Sequence, residues 1–73
     1  MNRSIKIQGY EDRVRKVIYD SGMSIKEVSR QMDCDSKMFY NGHQMNLGNL
    51  AKFCAITGCS ADYILGLRRE VRR

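Results

Sequence analysis

Apolar side chains recur along this chain with the period of an α-helix. Tyr10, Val14, Val17 and Ile18 fall at i, i+4, i+7 and i+8, which predicts a helix from about Tyr10 to Asp20 with Arg13, Arg15 and Lys16 largely on its other faces. Glu11 and Asp12 suit the positive end of its dipole, and Ser21-Gly22 ends it. Ile25, Val28 and Met32 continue the helical spacing in a second segment. Leu47, Leu50, Ala51 and Cys54 mark the buried stripe of a helix from Leu47 to Thr57, with Phe53 beside it, Asn46 as its cap and Gly58 as its stop. Ser60 to Leu65 reads as a capped final turn or two closed by Gly66. Ser4-Ile5-Lys6-Ile7 alternates, but it is too short and too terminal to anchor a sheet. The pattern predicts an all-α fold, a compact bundle of about five short helices with Val14, Val28, Phe39, Leu50 and Ile64 in its core. A length of 73 residues leaves room for one domain with an economical core.

The stretch Ser24 to Asn41, SIKEVSRQMDCDSKMFYN, carries the most information. Ser24 and Glu27 form a capping-box pattern, in which the Ser oxygen accepts from one orphan N–H and the Glu reaches back to another. Asp33-Cys34-Asp35 reads as a turn, and Asp35 can cap a helix from Ser36 to Asn41 that stops at Gly42. Helix, short turn, helix is the plan by which a helix-turn-helix domain lays its second helix in the DNA major groove.

Charge points the same way. Thirteen Lys and Arg against eight Asp and Glu give a net charge of +5, which suits an anionic partner such as nucleic acid. Residues 1–8, with Arg3 and Lys6, read as a flexible basic arm, residues 9–67 as the helix-turn-helix domain, and residues 68–73 as a basic tail, helical or frayed. Arg3, Lys6, Arg68, Arg69, Arg72 and Arg73 could add unspecific attraction to DNA. Cys34, Cys54 and Cys59 are odd in number, no secretory signal opens the chain and no stretch approaches a membrane span. The expected setting is a reducing cytoplasm with free thiols.

With this order of elements, the chain resembles the lambda-repressor-like, Cro-type (XRE-like) helix-turn-helix family of phage and bacterial transcriptional regulators. The resemblance runs from about Tyr10 to Leu67. Ser21-Gly22-Met23-Ser24 is similar to the "KGLS" entry to the family's second helix, and Asp33-Cys34-Asp35-Ser36 to its "GVSR" turn. Gly58-Cys59-Ser60-Ala61-Asp62-Tyr63-Ile64-Leu65-Gly66 is close to the ending "GVSLDYLLG", a packing motif that speaks for fold more than for activity. Two departures stand out. Ile25 occupies the place after the capping Ser where family members carry a phosphate-gripping Gln. The stretch from Phe39 to Leu47 is shorter than usual, and "YENG" is reduced to Tyr40-Asn41-Gly42.

The resemblance implies sequence-specific binding of double-stranded DNA, with repression the expected mode. Ser36 and Lys37 match the base-reading positions, where Lys can donate to guanine O6 and N7 and Ser can donate or accept. Phe39 matches a buried position, and Met38 is open between groove contact and packing. One turn on, Asn41 can read adenine and Tyr40 can reach a phosphate, or Asn41 merely closes the helix. His43, Gln44 and Asn46 lie in the loop that presses on a phosphate in the family, and Asn46 can also be a cap. Ser24 and Lys26 open the helix that crosses the backbone.

Other chemistries fare poorly. Cys34, His43, Cys54 and Cys59 offer no CxxC and no paired His, so no metal is expected. One His in a polar loop makes no nucleophile pair, so neither an enzyme nor a cofactor is expected, and no small-molecule ligand is evident. The alternative is a small helical protein–protein interaction module that has lost DNA binding, with Ile25 and Met23 as an exposed apolar patch. A weak homodimer would use Tyr63, Leu67 and Val71.

Overall fold

The computed structural model describes residues 6–40, 43–69 and 71. It contains helices α1 (Tyr10–Ser21), α2 (Ile25–Met32), α3 (Leu47–Thr57) and α4 (Ala61–Ile64), with a single 3-10 turn, Ser36–Phe39, between α2 and α3. No strand occurs among the described residues beyond an isolated bridge position at Cys59. The fold is all-α, but in place of the expected five helices the described residues form four α-helices and that one 3-10 turn. No helix among the described residues is long and apolar enough to cross a membrane.

The helix ends follow their capping residues. Gly22 and Gly58 close α1 and α3 in the left-handed conformation. Asn46 Oδ1 accepts from the Asn49 N–H at 2.8 Å, and Ser60 Oγ accepts from the Asp62 N–H at 3.1 Å. At α2 only half of the expected capping box forms. Ser24 Oγ accepts from the Glu27 N–H at 3.1 Å, but the Glu27 carboxylate turns along the helix to Arg30 and Gln31 instead of back to Ser24.

α2 packs on α3 and on the 3-10 turn, while α1 lies against α3 and α4. Their meeting point is an apolar centre of Val14, Val17, Ile18, Val28, Met32, Phe39, Leu50, Phe53, Cys54 and Ile64. Phe53 is fully enclosed, and its ring meets Phe39 in a tilted pair with centroids 6.0 Å apart. The α3 stripe is rotated from its expected position. Leu50, Phe53 and Cys54 face inward, whereas Ala51 is exposed and Leu47 is 84% exposed. Leu47 and Ala51, four residues apart, share the outward face of α3, while Leu50 in the same turn is buried.

Three contacts join distant parts of the chain. Arg13, expected on an outer face of α1, donates through Nε to the Ile64 carbonyl at 3.1 Å and through a terminal nitrogen to the Gln8 carbonyl at 2.8 Å. Gly66 (φ +83°) closes against that guanidinium, where an added Cβ would lie 2.9 Å from the nearer nitrogen. Ile7, placed in the arm by the sequence, packs against the core and donates its N–H to Gln44 Oε1 at 2.8 Å. At the other end Val71 rests on the core, and its carbonyl accepts from the Ser60 N–H at 2.6 Å. Of the residues suggested for a dimer, Tyr63 is buried in the protomer's own core and Val71 packs against it, while Leu67 stays 72% exposed.

Replacing Phe39 with Ala removes most of a buried ring and leaves Phe53 without its aromatic neighbour. The expected loss is about 3–5 kcal/mol, enough to unfold much of so small a domain. Urea melts of wild type and variant read this directly, and equal midpoints would place Phe39 outside the core.

Candidate nucleic-acid interface

The corner between α2 and the 3-10 turn is built by hydrogen bonds to backbone. Asp33 takes the left-handed conformation (φ 57°, ψ 49°) that commonly ends a helix. Its N–H donates to the Arg30 carbonyl at 3.1 Å, and the Cys34 N–H donates to the Ser29 carbonyl at 3.0 Å. These two bonds satisfy carbonyls that the last turn of α2 would otherwise leave open. Asp35 Oδ1 then accepts from the Lys37 N–H at 2.9 Å and starts the 3-10 turn. The chain cannot extend this turn far. Tyr40 is already extended (φ −119°, ψ 167°), and its N–H closes on the Lys37 carbonyl at 3.0 Å.

The expected helix from Ser36 to Asn41 is therefore a four-residue 3-10 turn, and Asn41 lies outside the described residues. The change of helix type alters which side chains share a face. With three residues per turn, Ser36 stands over Phe39, which is buried, and Ser36 is accordingly half-buried. Lys37 stands on the open side and is exposed, followed by Tyr40, 45% exposed. Ser36 and Lys37 do not project together as equal partners.

The loop after the turn is fixed by three side chains. Gln44 Oε1 holds Ile7, the Tyr10 hydroxyl accepts from the Met45 N–H at 2.9 Å, and Asn46 caps α3. Burial pushes the Tyr10 phenol above its ordinary pKa, which keeps it neutral in this role. Asn49 Nδ2 reaches Met38 Sδ at 3.2 Å and ties the 3-10 turn to α3. Lys37, Met38, His43, Gln44, Asn46 and Asn49 line one open, shallow depression. Every lining residue except Met38 carries a polar or charged group, but most of the surface the depression exposes is apolar.

Four of the predicted residues, Lys37, His43, Gln44 and Asn46, thus come together in this depression. Tyr40 borders it through its carbonyl, which accepts from the His43 N–H at 3.3 Å. Ser24 and Lys26 are exposed at the start of α2, outside the depression. Asn49 escaped the sequence reading. Its only signal was its place three residues after the capping Asn46, where its N–H is the capped donor.

Along α2, Glu27 binds both Arg30 and Gln31, the latter at 2.8 Å. The hydrogen bond from Arg30, then that from Gln31, holds the exposed Glu27 carboxyl down at about 2. Arg30 is thereby neutralised on the helix surface. Among the described residues neither Lys26 nor Lys37 takes part in an ion pair. No group of three or more His, Cys, Asp or Glu side chains among the described residues is arranged to hold a metal ion.

Comparison of the chain with protein-family models, with curated proteins and with solved structures finds no match.

Because the folded state lowers the Glu27 pKa, its support is present above the ordinary glutamate range and fades as pH falls towards 2. Replacing Arg30 with Ala removes the largest cause of that depression. Carbon-detected NMR titration should show the Glu27 midpoint rising towards the ordinary glutamate range, with the Gln31 hydrogen bond still holding it partly down. A midpoint that stays near its wild-type value would mean that Arg30 is not the partner that sets it.

Proposed function

We propose that this chain is a sequence-specific double-stranded DNA-binding domain of the lambda-repressor-like, Cro-type kind. It would serve a small prokaryotic or phage transcriptional regulator, a repressor in the first instance, acting in the cytoplasm. The observation that carries the reading is the corner itself. An N-capped helix and a short helical turn meet through a left-handed residue, and the turn offers an unpaired Lys37 beside an open depression that His43, Gln44, Asn46 and Asn49 also line. A major groove presents guanine O6 and N7 to a side chain of this type, and phosphates flank it on both sides.

Roles follow from position. Lys37 reads a base edge, with Tyr40 and Ser36 beside it. Ser24 and Lys26 meet a phosphate where α2 crosses the backbone. His43 and Asn46 face the neighbouring phosphate, together with the open N–H groups at the start of α3. Gln44 acts mainly through the loop, because its amide oxygen already binds Ile7. Asn41 keeps its sequence-based role as a possible adenine reader. A reading element of one turn is short, so most affinity should come from phosphate contacts and fall steeply with salt.

A second reading has its own support. Leu47 is 84% exposed and lies with Leu50, Ala51, Cys54 and Ala61 around an apolar depression, which suits a protein–protein module better than DNA. The patch first expected for that reading is weaker, since Met23 and Ile25 are partly buried against the core.

Lys37 and Lys26 separate the two readings. A site is first selected from a random duplex pool. On it, Lys37→Ala should cost about 1–3 kcal/mol and relax preference at one base pair. Lys26→Ala should weaken all duplexes alike and reduce the salt slope by about one counterion. Equal losses on selected and scrambled duplexes for both variants would remove the groove assignment. If no duplex binds at low salt, the protein-interaction reading takes its place.

A further inference from the structure

Cys54 and Cys59 are both buried, and their sulfurs lie 3.7 Å apart, with the Cys59 thiol donating to Cys54 Sγ. Cys54 sits in the last turns of α3, and Cys59 falls between Gly58, which ends that helix, and Ser60, which caps α4. A disulfide holds its sulfurs at about 2.05 Å, so closure asks for an approach of only about 1.6 Å. Gly58 stands next to Cys59 in the joining segment, and nothing lies within 4 Å of the place a Cβ would occupy there. The Gly58 N–H donates to the Cys54 carbonyl at 2.8 Å, so the backbone already folds back from Cys59 onto the residue it would be bridged to. Each cysteine, though buried, also contributes to the lining of its own surface depression. Cys54 lines the apolar one with Leu47, Leu50, Ala51 and Ala61, and Cys59 lines another with Val17, Gly58 and Val71.

We propose that Cys54 and Cys59 form an oxidisable dithiol that a hydroperoxide converts to an intramolecular disulfide, tying the end of α3 to the entry of α4. The Cys54 sulfur, as thiolate, attacks the O–O bond of hydrogen peroxide. One oxygen stays as the sulfenic acid, and the other leaves as hydroxide and takes up the thiol proton to become water. The Cys59 sulfur then attacks the sulfenic sulfur. The S–S bond forms, the S–O bond breaks, and the departing hydroxide takes the Cys59 proton as a second water. Two thiols lose two electrons and two protons, and the peroxide oxygens receive them. Cys34, half-buried in the turn after α2, is not part of the pair.

The sequence makes the test direct. Lys52 and Arg68 are the nearest tryptic sites around both cysteines, so a bridge would be a ring within one peptide, and Cys34 falls in another. The full chain is treated with hydrogen peroxide, quenched, unfolded, alkylated and digested. The 53–68 peptide should resist alkylation at both cysteines and run about 2 Da below its reduced mass. A thiol reductant should restore two alkylation sites. In Cys59→Ser the reaction should stop at Cys54, where dimedone traps a sulfenic acid. The proposal is overturned if both cysteines remain alkylatable after peroxide has oxidised Cys34. It is equally overturned if the bridge that forms joins Cys34 to either of them, in one chain or between two.

Discussion

The contact between Phe39 and Phe53 is the constraint on which the candidate interface depends. A helical turn of four residues has no stability of its own in water, because it fixes several torsions for one or two hydrogen bonds. Here the 3-10 turn exists because Phe39 inserts against the enclosed Phe53 ring of α3 and Asp35 caps its start. Asn49 adds a polar tether to Met38. With Phe39 inward, three residues per turn leave Lys37 outward. The same burial that stabilises the domain thus aims the side chain proposed to read DNA.

Electrostatics refine that picture. A net charge of +5 says only that an anion is welcome. The pairings say where. Lys16 is engaged by Asp20 at 3.2 Å, Arg30 by Glu27, and the Arg13 guanidinium by backbone carbonyls. Lys52 Nζ sits 3.5 Å from the Met32 carbonyl at the end of α2, where a cation suits the helix dipole. Lys26 and Lys37, on the two arms of the corner, carry no such partner among the described residues, and neither do Lys6, Arg15 and Arg69. Exposed pairs contribute little to stability, so their main effect is to leave the positive field concentrated on particular side chains.

Local chemistry was legible in the sequence, and tertiary choices were not. α3 runs from Leu47 to Thr57 as its flanking Asn46 and Gly58 indicate, and α1 differs by one residue at its end. Asp35 was identified as a cap because a carboxylate before a new helix has an N–H to accept. The sequence predicts a longer α-helix in place of the 3-10 turn because Ser36 to Asn41 is too short for periodicity to separate the two types. Leu47 and Ala51 fit the buried stripe as well as Phe53 does by spacing alone, and only the packing of α3 on its neighbours selects the face of Leu50, Phe53 and Cys54. Arg13 and Gln44 looked like surface residues. Their partners, Ile64 and Ile7, are 51 and 37 positions away, and no local pattern announces them. Val71, read as part of a basic tail, is instead joined to Ser60 by a backbone bond that carries no side-chain signal.

The corner and the apolar face of α3 lie at different places on the domain, and backbone amides report on both at once. The most direct test is therefore to follow them by NMR while duplex DNA carrying a selected site is added at low salt. If the corner faces DNA, the largest saturable shifts fall at Ser24, Lys26, Ser36, Lys37, Tyr40, His43 and Asn46, and Leu50, Cys54 and Ala61 stay nearly still. Shifts confined to Ala51, Cys54 and Ala61, or no saturable shift at all, would contradict the assignment of this corner as the DNA-binding face.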